Sequence, residues 1–260
     1  MATEPRDAAP EAAEDSAGAQ MSFLEHLEEL RRRVVRSALA VLVGLLVCYA
    51  FSEQILEFLL DPIQGRMGTL SVIRPAEAFL NRVKAAFVGA LFVSLPVILY
   101  QAWAFVSPGL YPREKRWFLP VIVVGSALFL AGAGFCYEIA MPAAVNFLAE
   151  QGEMFDQHIT VDYAFSFSTK MLLGLGVVFE MPLVVYALAR LDMVTASFLR
   201  RRLDIAVFIC FLVAAIITPT PDVVTMSIFA LPMIGLYLVS ILVAWLANPT
   251  RRRRADRDDG

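Results

Sequence analysis

Six stretches of this chain are almost wholly apolar: residues 34–51, 78–105, 117–140, 165–189, 203–218 and 223–246. A hydrocarbon core of about 30 Å takes about 20 residues of helix to cross, and most of these stretches approach or exceed that length. None alternates polar and apolar residues as a transmembrane strand does. A backbone inside lipid must satisfy its own hydrogen bonds, so the spans are expected to be α-helices. A hydrophobic share of 58% excludes an ordinary soluble domain. The expected fold is all-α, a polytopic membrane protein of six transmembrane helices.

Orientation follows from the basic residues. With the N-terminus inside, every Lys and Arg except Arg66, Arg74, Arg82, Lys84 and Lys170 falls on a cytoplasmic segment or tail, including Arg31–Arg33, the Arg200–Arg202 run and Arg251–Arg254. The excess of cytoplasmic Lys and Arg in membrane proteins makes this N-in, C-in topology the expected one. Residues 1–21 carry acids among Ala and Pro, with neither the basic start nor the apolar core of a secretory signal, and read as a disordered acidic cytoplasmic tail. The transmembrane domain covers 22–247, and 248–260 form a basic cytoplasmic tail.

On the opposite side, residues 53–77 and 141–163 are expected to be loops, and Pro219-Thr220-Pro221-Asp222 a tight turn between the last two helices. The fifth span is short. Sixteen residues rise about 24 Å, less than a normal bilayer, which calls for local thinning. Pro96, Pro182 and Pro232 sit deep in the second, fourth and sixth spans. Prolines there are expected to kink these helices around a concave bundle. Cys48, Cys136 and Cys210 lie far apart within apolar runs, so neither a disulfide nor a metal site is expected, nor any cofactor.

The segment Ser22–Arg33, SFLEHLEELRRR, places three acids and then three arginines at the doorstep of the first span. It has a structural reading: Ser22 and Glu25 form a capping box, Glu28–Arg32 and Glu29–Arg33 pair at i,i+4, and the apolar side lies on the membrane. It also has a functional one, in which Glu29 and Glu114 of the loop FVSPGLYPREKRWF gather at one membrane face to receive a cationic partner. Glu180, about nine residues from both Lys170 and Arg190, falls near mid-bilayer, where an ionisable group is costly and by default functional. A protonated Glu hydrogen-bonded to a neighbouring helix is the structural alternative. Asp222, ahead of an apolar helix, reads as an N-cap. His26 reads as a surface helix residue and His158 as a loop residue.

Four motifs in order, HLEELRRR, LPVILYQAWAFVSPGLYPREKR, glycines leading to VVFEMPLVVY, and PTPDVVTMSIFALPM, resemble the TatC family, the polytopic receptor subunit of the twin-arginine protein translocase. The resemblance covers roughly residues 22–247. It implies a cytoplasmic (inner) membrane protein that binds the twin-arginine signal peptides of folded precursors. The proton-motive force is the implied energy source, and no nucleotide-binding loop is present. The signal-peptide site falls on Glu29 and Glu114, with Arg31 and Phe105 nearby, and Glu180 lies on a concave, water-accessible face. The implied partners are TatA- and TatB-like single-span subunits, further copies of the chain and membrane lipids, not nucleic acid. Thr218, Asp222 and Thr225 are candidates for docking the small subunits. A guanidinium takes a carboxylate in a two-pronged fork that Lys cannot reproduce, which suits two acids to two arginines. The alternative is a proton- or cation-coupled secondary transporter using Glu180, against which stands the lack of a convincing inverted repeat. No catalytic Ser/His pair, di-aspartate or HExxH motif lies within the spans, so an enzyme is not expected.

Overall fold

The computed structural model describes residues 23–106, 118–152, 158–218 and 222–247, and these are nearly all helical. In chain order the helices are α1 (Phe23–Tyr49), α2 (Ser52–Met67), α3 (Pro75–Val106), α4 (Phe118–Phe135), α5 (Met141–Gln151), α6 (Val161–Phe179), α7 (Met181–Arg190), α8 (Ala196–Arg201), α9 (Leu203–Ile217) and α10 (Val223–Ala247). Four continuous or near-continuous units among the described residues are long and apolar enough to cross a bilayer: Pro75–Phe105, Leu119–Gln151, Val161–Arg190 and Val223–Ala247. α1 and α2 qualify as a pair, bent by 87° at residues 50 and 51, and α9 is a shorter apolar helix of 15 residues. The described residues of the six apolar stretches therefore fall on helix, apart from breaks at residues 50–51, 180 and 218.

Two expected loops prove to be largely helical. Residues 53–77 begin as α2, whose Leu59, Leu60 and Ile63 are buried at 2–4% exposure. Asp61-Pro62 and Gln64-Gly65 signal turns in the sequence, but the apolar spacing prevails, and Pro62 costs α2 one backbone hydrogen bond without stopping it. Residues 141–163 likewise begin as α5, which continues α4 through a π-helical turn at Cys136–Ala140, where the Met141 N–H reaches back to the Cys136 carbonyl. Pro142 follows at once. A proline has no N–H to give the carbonyl four residues back, and a wider turn beside it absorbs that mismatch. Met141, Ala144 and Val145 are then almost fully buried.

Small residues bring the helices close. α1 runs along α3, with Gly44 over Ala90 and Ser94, and the Ser94 hydroxyl donates to the Ala40 carbonyl (3.0 Å). α4 packs on α6, with Gly132 against Phe179 and Gly176 against Phe129. Lipid gives no hydrophobic drive to helix association, so close backbone approach and van der Waals contact carry it. The core gathers Met141, Met171, Leu175, Phe229 and Met233, while Leu39, Leu46, Leu119, Phe208 and Ile216 stand exposed on the outside, as lipid-facing side chains do. Pro96 and Pro232 lie inside continuous helices, whereas Pro182 opens α7 directly after the helix breaks at Glu180.

The end of the bundle expected to be outer is tied by its own polar knot. Ser71 and Thr160 form a parallel bridge, with Ser71 N–H donating to Ile159 (2.9 Å) and Val161 N–H donating to Ser71 (3.1 Å). The Glu77 carboxylate accepts from the N–H groups of Ile73 and Arg74 (both 3.2 Å) and of Asp162 (3.1 Å), and Lys84 pairs with Asp162 at 2.6 Å. Replacing Glu77 by Ala removes the acceptor for three N–H groups at a half-buried site. The expected loss is about 1–2 kcal/mol, read as a lower thermal midpoint of the detergent-purified protein. An unchanged midpoint would show the knot to be incidental.

Candidate functional site

The start of α1 meets the end of α3. His26, Glu29 and Arg33 recur at i, i+3 and i+7, and so share one helix face, while Gln101 and Phe105 recur at i,i+4 on α3. Two contacts join them. The His26 ring stacks on Phe105 with centroids 4.4 Å apart, and Arg33 donates from Nη2 to Glu29 Oε1 (2.9 Å) and from Nη1 to Gln101 Oε1 (3.3 Å). The Glu29 and Arg33 side chains retain only 17% and 20% of their exposure. Glu29 Oε2 is buried and has no hydrogen-bond partner among the described residues.

Among the described residues the carboxylate is thus held on one oxygen and open on the other. Oε1 is fixed by a guanidinium of the chain itself, whose other nitrogen is fixed by Gln101. A charge-assisted pair this far withdrawn from water is geometrically defined in a way that the exposed Glu28–Arg32 pair, at 3.9 Å, is not. Arg31 is exposed. Ser22 and Glu114 lie outside the described residues, so the structure places Glu29 with Phe105's neighbours but says nothing of its pairing with Glu114. Gln101 was not singled out from the sequence. Its signal was its spacing of four from Phe105, but its partner lies 68 residues away.

Glu180 occupies the break between α6 and α7. Its N–H donates to Val177, its carbonyl accepts from Leu183 and Val184, and its side chain is buried at 9% exposure. Neither carboxyl oxygen has a partner among the described residues, so the hydrogen bond to a neighbouring helix that the structural alternative called for is not made there. Gly125 of α4 makes the room, since a Cβ there would lie 3.2 Å from Glu180 Oε2.

At the α9–α10 hairpin, the buried Thr218 hydroxyl donates back to the Ala214 carbonyl (2.9 Å). Asp222 Oδ1 accepts from the Thr225 N–H (2.7 Å), capping α10, and Thr225 is fully buried, its hydroxyl without a partner among the described residues. Residues 219–221 lie outside the described set. Loss of an N-cap costs about 1 kcal/mol. Asp222→Ala is therefore expected to lower the thermal midpoint modestly, with Asp222→Asn restoring most of it; equal losses in the two variants would refute the cap.

The three cysteines are buried and free, and among the described residues no group of three or more His, Cys, Asp or Glu could hold a metal ion.

Residues 25–232 match the family model described as Sec-independent protein translocase protein (TatC). The chain belongs to the TatC family. It is 42% identical over 240 residues to the Sec-independent protein translocase protein TatC of Koribacter versatilis (strain Ellin345), covering 90% of this chain and 89% of that protein. The TatC of Helicobacter pylori (strain J99 / ATCC 700824) is 41% identical over 225 residues, covering 86% and 89%. A crystal structure of the twin-arginine translocase receptor TatC superimposes with a TM-score of 0.76 at 34% identity, over 86% of this chain and 100% of that one. A second, of the same receptor in DDM, gives 0.77 over 85% and 99%. As a member of the TatC family, the chain is a multi-pass membrane component of a protein translocase and not an enzyme.

Proposed function

We propose that this chain receives twin-arginine signal peptides of folded precursors at the junction of α1 and α3, with Glu29 as one acceptor and Glu114 as the other. The observation that carries the reading is the Glu29 carboxylate: withdrawn from water, fixed through Oε1, and with no partner at Oε2 among the described residues. An incoming guanidinium supplies the donor that Oε2 lacks, and the planar fork of Arg fits where the point charge of Lys does not. Phe105, stacked on His26, walls the site with an apolar surface for the residues beside the arginine pair. Arg31, exposed two residues on from Glu29, faces headgroups or the peptide's own acids.

In this reading both termini are cytoplasmic and the membrane is the inner one, in line with the distribution of Lys and Arg. Residues 1–21 and 248–260 then flank the membrane domain as tails. Small single-span subunits of the TatA and TatB kind dock along the α9–α10 hairpin near Thr218, Asp222 and Thr225. Further copies of the chain complete the receptor, and Glu180 serves the groove that admits the signal peptide. Transport of a cation through Glu180 is the less favoured reading, since no second buried carboxylate stands with it among the described residues.

The test is a twin-arginine peptide carrying a photoreactive group next to the arginine pair, added to the purified protein. Adducts are expected on residues 26–33 and 101–105, and are lost when the pair is changed to Lys-Lys. Adducts confined to other helices, or equal labelling by both peptides, would overturn the assignment.

A further inference from the structure

At the end of the molecule where α10 finishes, α8 and α10 enclose an open groove of about 550 Å³. One face of α8 is pinned inward: Leu199 is buried with Val185, Ala189, Ala244 and Ala247, and its carbonyl accepts from the Tyr237 hydroxyl (2.8 Å). That leaves Ser197 and Arg200, three residues apart, lining the groove at one end. Its other wall is the stripe Leu238, Ile241, Leu242 and Trp245, which follows one face of α10. Leu238, Leu242 and Trp245 are 51%, 56% and 45% exposed, so this wall faces the surroundings of the protein, which in a membrane span are lipid.

Two features fix the level of the groove. Trp245 lies in the last turn of α10, where amphipathic rings sit among headgroups. Arg200 belongs to the basic run Arg200–Arg202, placed between the end of α7 and the start of α9. The groove thus carries a cation at the interface and a strip of apolar side chains leading from it along the span. No carboxylate lines it, and Arg200 makes no ion pair among the described residues.

We propose that this groove is a binding site for one anionic phospholipid of the bilayer, its headgroup phosphate on Arg200 and Ser197 and one acyl chain along Leu238, Ile241 and Leu242. The charge pattern selects the headgroup. Arg200 offers a fork to a phosphate, while the amine of a zwitterionic lipid finds no acceptor acid in the groove. The site is independent of the signal-peptide reading and depends only on the chain lying in a membrane.

The experiment is a titration of the full-length, delipidated protein with phosphatidylglycerol and with phosphatidylcholine, followed by native mass spectrometry. The first phosphatidylglycerol is expected to bind about five- to tenfold more tightly than phosphatidylcholine. Arg200→Gln removes that preference, while Arg201→Gln, outside the groove, largely keeps it, and matching thermal midpoints show that both variants are folded. Equal binding of the two lipids overturns the proposal. So does a preference that survives Arg200→Gln, or one that falls equally in both variants, which would mean diffuse charge attraction. A photoreactive residue at position 242 provides the remaining outcome: crosslinks in native membranes to a protein helix instead of lipid make the groove a subunit interface and sink the lipid site.

Discussion

Glu29→Gln is expected to weaken binding of a twin-arginine peptide by about 10- to 100-fold, the worth of one charge-assisted hydrogen-bonding partner. The substitution keeps the shape of the side chain and an oxygen for Arg33 Nη2, now 2.9 Å from Glu29 Oε1, and Arg33 keeps its second bond to Gln101. The start of α1 therefore stays docked on α3, and thermal stability changes little. What disappears is the negative charge that a second guanidinium needs beside the one already present. Without it, the guest arginine meets the Arg33 cation with nothing between them to offset the repulsion. Fluorescence anisotropy of a labelled peptide measures the loss, with the Lys-Lys peptide as the reference for non-specific attraction. If the variant binds as tightly as the parent, Glu29 belongs to a structural pair and the guest arginines go elsewhere.

Gly132→Ala is expected to destabilise the protein by about 1–3 kcal/mol, the usual cost of overpacking a tight core. A Cβ there would lie 2.6 Å from Cγ and 2.8 Å from Cβ of Phe179, and 2.9 Å from the Leu175 carbonyl oxygen. Phe179 could rotate only in part, and the carbonyl belongs to the backbone of α6, so relief requires α4 and α6 to part. The same pair of helices sets Gly125 against Glu180 and Gly176 against Phe129, so a displacement spreads along the contact. Gly134→Ala is the control. It lies two residues on in the same helix with nothing within 4 Å of its Cβ, and a helical Ala is favoured over Gly by about 0.5–1 kcal/mol. The two midpoints should move in opposite directions; a shared direction would mean that helix propensity, not steric contact, governs this segment.

The apolar spans were legible because their signal is local: about 20 consecutive residues of one character need no partner to be recognised. The Glu29–Arg33 pair was legible for the same reason, being separated by one helical turn. α2 and the continuation into α5 were not, because Asp61-Pro62, Gln64-Gly65 and, further on, Gly152 with the acids around it mark turns and loops in a sequence. Their burial against helices far along the chain, and a single π turn, overrode those marks. Gln101 escaped because its meaning lies in a contact 68 residues away. That Glu180 sits deep within an apolar stretch was read by counting residues to the nearest charges, but that its carboxyl stands over a glycine of α4, without a partner among the described residues, is a property of how two helices meet. Glu114, expected beside Glu29, lies outside the described residues, so the second half of the candidate site rests on the resemblance and on the family.

The bridge between Ser71 and Thr160 has a bearing on biogenesis. It closes a loop of almost ninety residues, and Glu77 stays short of one of its three donors until the Asp162 N–H arrives. In a chain made from its N-terminus, the bridge and this third bond can close only after the segment preceding α6 has been made, so this one clasp between the early helices and α6 belongs to a later stage than the contacts of α1 with α3.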